Sequence, residues 1–227
     1  MTDIAANWQD IQARVAHAAL RADRAPQSVH IIAVAKKHPA AAIRAALAAG
    51  VQHIGENYVQ ELLAKQTEIA TDAVQPQWHF IGHLQRNKAR MIAGRVALIH
   101  AVDTIELANE LNTRCTTQQP VLIAVNLGGE ASKSGISENT AVAVATAIAG
   151  CQHLRLDGLM TMPPPDVSDG ETQAIFRRLR LLRDSLQQHI GTAMPTLSMG
   201  MSSDFELAIA EGATHVRIGT AIFGARP

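Results

Sequence analysis

The chain has 227 residues, 47% of them hydrophobic and 3% aromatic, with 20 Lys and Arg balanced by 20 Asp and Glu. That length suits one large domain or two small ones, and α/β barrels commonly run about 200–250 residues. The charge balance supplies no cation excess for nucleic-acid or anionic-membrane binding. No apolar run has the length of a membrane span or signal peptide, and Cys115 and Cys151 are too few for a disulfide scaffold. A soluble, cytoplasmic protein with free thiols is expected.

A leading helix is predicted from about Thr2 to Arg24. Beyond it, short apolar runs rich in β-branched residues alternate with Ala-rich helical stretches, the pattern of a parallel sheet with crossover helices. The predicted strands are His30–Ala35, Gln52–Gly55, Trp78–Gly82, Ala97–Val102, Val121–Asn126, Leu154–Met160, Thr196–Met199 and His215–Ile218. Pro39 opens a helix over Ala40–Ala49 that Gly50 stops, completing one βα unit. Between Glu171 and Ile190, the residues Ile175, Phe176, Leu179, Leu182, Leu186 and Ile190 share a helical face, while Arg177, Arg178, Arg180 and Arg183 read as a solvated one. Pro163–Pro165 is a stiff loop after the sixth strand. Eight strands recurring at roughly 25 residues each predict a single (β/α)8 barrel with an additional N-terminal helix, residues 1–227 forming one domain. An open doubly wound sheet is the alternative.

In a barrel, chemistry gathers at the C-terminal ends of strands and in the loops after them. After the first strand, Lys36 and Lys37 have opposite parity, so one of them faces the mouth, where partial desolvation favours a neutral amine suited to Schiff-base chemistry. On the last strand, parity turns His215 and Arg217 into the barrel. A buried guanidinium needs a partner, either a carboxylate such as Glu56 or a ligand. Ser198–Ser203 and Gly219-Thr220 are the small-residue loops after strands seven and eight, the usual phosphate site of such barrels. A lysine, a phosphate cradle and an inward arginine together suit a phosphorylated aldehyde with a ring nitrogen, pyridoxal 5′-phosphate.

The segments A-V-A-K-K-H-P over Ala33–Pro39, G-E-N-Y-V-Q-E over Gly55–Glu61, H-F-I-G-H-L-Q over His79–Gln85, G-L-M-T-M over Gly158–Met162, L-S-M-G-M-S over Leu197–Ser202 and V-R-I-G-T-A-I-F-G over Val216–Gly224 closely resemble the pyridoxal-phosphate homeostasis protein family, across almost the whole chain. The resemblance implies an alanine-racemase-like barrel that holds pyridoxal 5′-phosphate as an internal aldimine, with no established catalysis. It assigns the Schiff base to Lys36, a cofactor contact to Asn57, the phosphate cradle to Ser202, Gly219 and Thr220, and the pyridine-nitrogen contact to Arg217. The family motif resembles A-V-S-K-T-K-P, from which Ala35, Lys37 and His38 depart, so a second lysine at position 38 is lacking. An arginine at the ring nitrogen keeps that nitrogen unprotonated and weakens the ring as an electron sink.

A carrier or reservoir of the cofactor is therefore expected, acting in vitamin B6 and amino-acid homeostasis as a monomer and passing pyridoxal 5′-phosphate to apo-enzymes. The alternatives are an amino-acid racemase, which needs a second base that Tyr58, the only tyrosine, would have to supply, and a phosphosugar isomerase without a chromophore. His79 and His83 lack the ligand company of a metal site and are expected to be hydrogen-bonded near the mouth. Arg86, Lys88 and Arg90 are expected at the surface. Ser132-Lys133-Ser134-Gly135 resembles a family motif at the mouth, without a role that the residues disclose.

Overall fold

The computed structural model describes residues 2–129 and 134–225. Its strands are β1 (His30–Val34), β2 (His53–Glu56), β3 (Gln77–Phe80), β4 (Leu98–Val102), β5 (Gln119–Ala124), β6 (Leu154–Met160), β7 (Thr196–Ser198) and β8 (His215–Ile218). They close into a barrel in sequence order, every pair parallel, with β8 returning to β1. The helices are α1 (Ile4–Arg21), α2 (Ala40–Ala48), α3 (Val59–Glu68), α4 (Ala89–Ile92), α5 (Ile105–Arg114), α6 (Glu138–Ala149), α7 (Asp169–Ile190), α8 (Phe205–Ala210) and α9 (Thr220–Phe223). The doubly wound alternative is excluded, because an open sheet has two edges and this one has none.

The predicted strands are all present, Leu154–Met160 and His215–Ile218 with the predicted bounds and the other six with one or both ends moved by one or two residues. The fifth shows why. β5 starts two residues early, at Gln119, whose side chain bridges the Val96 carbonyl and the Gly94 N–H. Past Ala124 the Val125 N–H still bonds Met160 of β6, but the Asn126 N–H turns away from that strand to Ile136. Gly50, with φ +97°, lets the chain leave α2 in a conformation that a side chain would strain.

The hydrophobic core lies between sheet and helices. Ala33, Ile54, Phe80, Ile99, Ile123, Leu197, Val216 and Ile218 face outward from the strands to meet Ile43, Leu62, Ile92, Leu111, Ile148, Phe176, Phe205 and Ile222. Large side chains such as Phe80, Phe176 and Phe205 are fully buried, each stabilising the fold by about 1.5–3 kcal/mol. On α7 the apolar face packs as predicted, but the arginines are not merely solvated. Arg177 and Arg180 both reach Glu211, which is 5% exposed, at 2.7 and 3.6 Å, tying α7 to the end of α8. Arg178 pairs with Glu138 and Arg183 with Asp184.

Strand parity divides the inside from the outside. Register aligns Ile32 with His53 on one side and Arg217 on the other, and His30 with His215. Ile32 and Arg217 are buried inside the barrel, His53 and His215 are half-buried and His30 is exposed at its N-terminal end, and the residues at the C-terminal strand ends form the mouth.

Candidate functional site

Six predicted residues, Lys36, Asn57, Ser202, Arg217, Gly219 and Thr220, line one cavity of about 310 Å³ at the C-terminal mouth, with Val34, Ile81 and Met162 as its apolar walls. A neighbouring cavity of about 280 Å³ shares Asn57, Ile81, Met162 and Arg217 and extends to His83, Asn126 and Ser134. Of the predicted Ser132–Gly135 loop, Ser132 and Lys133 lie outside the described residues.

The structure separates the two lysines. Lys36 is half-buried on the cavity, continuing the inward parity of Ile32 and Val34, whereas Lys37 is exposed. Lys37 takes a left-handed conformation, φ +63°, and its N–H donates to the Glu61 carboxylate at 2.9 Å. On the other side of Lys36, the Ala35 carbonyl accepts from Lys65 Nζ at 2.9 Å. Lys65 also donates to Glu56 at 2.6 Å and to Glu61 at 3.2 Å. Helix α3 thus grips the backbone on both sides of Lys36 through one ionic cluster. Burial pushes the Glu56 carboxyl up to about 7 against the pull of the Lys65 ammonium.

That cluster corrects one expectation. Glu56 is not the partner of Arg217, because it shares the outward parity of Ile54 and faces α3. Arg217, 6% exposed, instead donates from Nη1 to Ser198 Oγ at 2.7 Å and from Nη2 to the Thr161 carbonyl at 2.9 Å. Burial lowers its guanidinium to about 10, partly offset by the charge of Asp204. A guanidinium has five N–H donors, so donors remain for a group in the cavity.

Asn57 follows β2, and its Oδ1 is buried without a hydrogen-bond partner. Gly82 makes its placement possible: a Cβ there would stand 2.1 Å from the Asn57 carbonyl oxygen. Opposite, Asp204 accepts from the Met201 N–H at 2.6 Å, and the Arg217 N–H donates to the Gly200 carbonyl, shaping the turn that carries Ser202. The Oγ atoms of Ser202 and Thr220 are 3.5 Å apart, at the open first turn of α9. An amine, an arginine, an orphaned amide oxygen and a rim of small hydroxyl residues fit a phosphorylated aromatic aldehyde.

Both histidines are hydrogen-bonded as expected, and only the position of His79 differs. His83 is at the mouth, 3.1 Å from Asp103, but His79 lies deep in the barrel between His53 and His100. His53 and His100 are polar interior residues not singled out from the sequence, although inward parity on β2 and β4 was the available signal; Ser198, expected in the phosphate loop, is instead the buried last residue of β7 and bonds Arg217 and His100. No group of three or more His, Cys, Asp or Glu among the described residues is arranged to hold a metal ion. Arg86 and Arg90 are exposed and Lys88 half-buried, and burial raises both cysteine thiols.

Fold and site together define a barrel of the alanine racemase type. The family profile for the alanine racemase N-terminal domain matches residues 2–227. The pyridoxal phosphate homeostasis protein of Pseudomonas aeruginosa is 46% identical over 230 residues, covering 100% of this chain and 97% of that protein. That of Escherichia coli is 40% identical, covering 100% and 98%. PipY of Synechococcus elongatus, solved with PLP bound, superposes with a TM-score of 0.85 at 40% identity over 97% of this chain and 100% of that one. Alanine racemase of Corynebacterium glutamicum shares the fold, at a TM-score of 0.72 and 17% identity, over 99% of this chain and 61% of that one. The chain belongs to the alanine racemase N-terminal domain family and, within it, to the pyridoxal phosphate homeostasis proteins.

Proposed function

We propose that this protein binds pyridoxal 5′-phosphate through Lys36 and serves intracellular vitamin B6 and amino-acid homeostasis as a carrier or reservoir. The observation that carries the reading is the convergence of Lys36, Asn57, Ser202, Arg217, Gly219 and Thr220 on one cavity. When bound, pyridoxal 5′-phosphate supplies an aldehyde that condenses with a primary amine. Lys36 supplies that amine, held in place by the α3 cluster. Ser202, Gly219 and Thr220 offer hydroxyls and N–H groups to the phosphate, Asn57 offers a carbonyl oxygen, and Arg217 donates to the ring nitrogen. As a permanent cation, Arg217 would hold that nitrogen as an acceptor and so restrain carbanion chemistry.

Tyr58 precedes the first turn of α3, is 49% exposed and is not among the residues lining either mouth cavity, which favours the carrier over a racemase with Tyr58 as second base. The whole chain acts as one barrel unit, a cytoplasmic monomer whose partners are the cofactor and pyridoxal-phosphate-dependent apo-enzymes, without nucleic acid or membrane. No helix among the described residues is long and apolar enough to cross a membrane.

The test is visible absorbance of the purified protein, trapped covalently by borohydride and absent from Lys36→Ala. A colourless wild-type protein that fails to take up added cofactor refutes the reading. Holo-protein incubated with single-enantiomer alanine in deuterated water separates carrier from racemase, since steady deuterium incorporation with inversion supports the enzyme.

A further inference from the structure

A file of inward-facing side chains, buried except for the half-buried His53, runs down the barrel from the mouth to the opposite end. Arg217 Nη1 donates to Ser198 Oγ at 2.7 Å, and Ser198 Oγ lies 2.8 Å from His100 Nδ1. His100 Nε2 is 3.0 Å from His79 Nδ1, and His79 Nε2 is 2.9 Å from His53 Nδ1. His53 then reaches a cavity of about 360 Å³ at the N-terminal end of the barrel, lined also by Trp8, Gln12, Gln27, His30 and Gln52. Ser198 and His100 are fully buried and His79 nearly so. These contacts join four strands, β2, β3, β4 and β7, to the arginine of β8.

The chemistry of the links orders the protons. Burial holds His79 and His100 well below the ordinary imidazole range, with neighbouring histidines adding to the effect, so both rings are neutral. Burial also lowers His53 and takes His215 down to about 3, with the charges of neighbouring histidines contributing to both. A neutral imidazole has one N–H and one bare nitrogen, so every ring-to-ring contact in the file must run in the same sense. Arginine only donates, which makes Ser198 Oγ an acceptor at that contact. Its own hydrogen then needs an acceptor, and His100 Nδ1 is the one in reach. The order of the other links is then set: His100 Nε2–H donates to His79 Nδ1, His79 Nε2–H to His53 Nδ1, and His53 Nε2–H points onward. In the reverse order the buried Ser198 hydroxyl has no acceptor, which disfavours it by about 10-fold or more.

We propose that Ser198, His100, His79 and His53 form a proton-ordered histidine relay that positions Arg217, linking the floor of the mouth cavity to the opposite end of the barrel. Ser198 and His100 are positioning residues for the guanidinium. They act on a ligand only through it, and that last consequence rests on the proposed pyridoxal-phosphate function.

Nitrogen-15 NMR of the ligand-free protein tests the relay directly. Expected are His53, His79 and His100 all protonated at Nε2, with scalar couplings across the two ring-to-ring hydrogen bonds, and loss of the single tautomer order in Ser198→Ala. Nδ1-protonated or tautomer-averaged rings in the wild type overturn the proposal, whatever the protein binds. The coupling to the ligand is read separately. Cofactor dissociation about 10-fold faster in His100→Leu, with a shifted absorption maximum and partial restoration in His100→Gln, supports positioning. An unchanged spectrum and off-rate in a folded His100→Leu protein overturns it. Should that variant fail to fold, Ser198→Ala carries the same comparison.

Discussion

Replacing Lys65 by Met removes the centre of the cluster that holds the Lys36 turn. The Lys65 and Glu56 side chains are 9% and 0% exposed, and their 2.6 Å contact is a buried ion pair. Removing one member of such a pair leaves an uncompensated buried carboxylate and costs about 3–5 kcal/mol at a pH above about 7, where Glu56 is ionised. For a chain of this size, about 2–4 °C per kcal/mol places the loss at about 6–20 °C in Tm. Urea unfolding followed by the fluorescence of Trp8 and Trp78, which are 5% and 7% exposed, gives the free energy directly. In the Lys65→Met background, Glu56→Gln should recover a large part of the loss, because the neutral amide no longer needs a cation. A second readout is local: with the Ala35 carbonyl released and only the Lys37 N–H still held by Glu61, capture of pyridoxal 5′-phosphate by Lys36 should slow. Strictly additive losses in the double variant, with a coupling below about 0.5 kcal/mol, would refute the cluster as a functional unit.

Gly82→Ala should displace the Asn57 backbone, since the added Cβ would lie 2.1 Å from its carbonyl oxygen; weakened cofactor binding by titration in a folded protein checks this, and unchanged affinity contradicts it. Glu56 has its carboxyl raised from 4.5 to about 7 by burial against the opposing Lys65 charge, so the folded state holds the proton more tightly than the unfolded chain. The stabilisation from that proton is complete below about pH 4.5 and is lost as pH rises through about 7; Glu56→Gln should flatten the stability profile in that window. Glu211→Gln weakens the contacts of the buried carboxylate with Arg177, Arg180 and Gln173 and should destabilise the fold by about 1–3 kcal/mol, measured by denaturant titration, while leaving the absorption of bound cofactor unchanged.

The sequence determined the barrel because each βα unit announces itself locally: a β-branched run, a loop, and an amphipathic stretch such as Ile175–Leu186 with its apolar residues on one face. Parity alone also turned His215 and Arg217 inward, since side chains alternate along a strand whatever surrounds it. What parity could not reach was anything that needed two strands at once. Whether Lys36 or Lys37 faced the mouth depended on how β1 ends. Whether Glu56 met Arg217 depended on the side of β2 that faces α3. The file from His53 to Arg217 spans residues up to 164 positions apart and exists only because closing the barrel, with β8 paired to β1, brings the inward side chains of β7 and β8 together with those of β2 to β4. The sequence thus specified the parts and the direction each one faces, whereas tertiary structure decided the partners, because hydrogen bonds and ion pairs depend on distances that only the closed sheet sets.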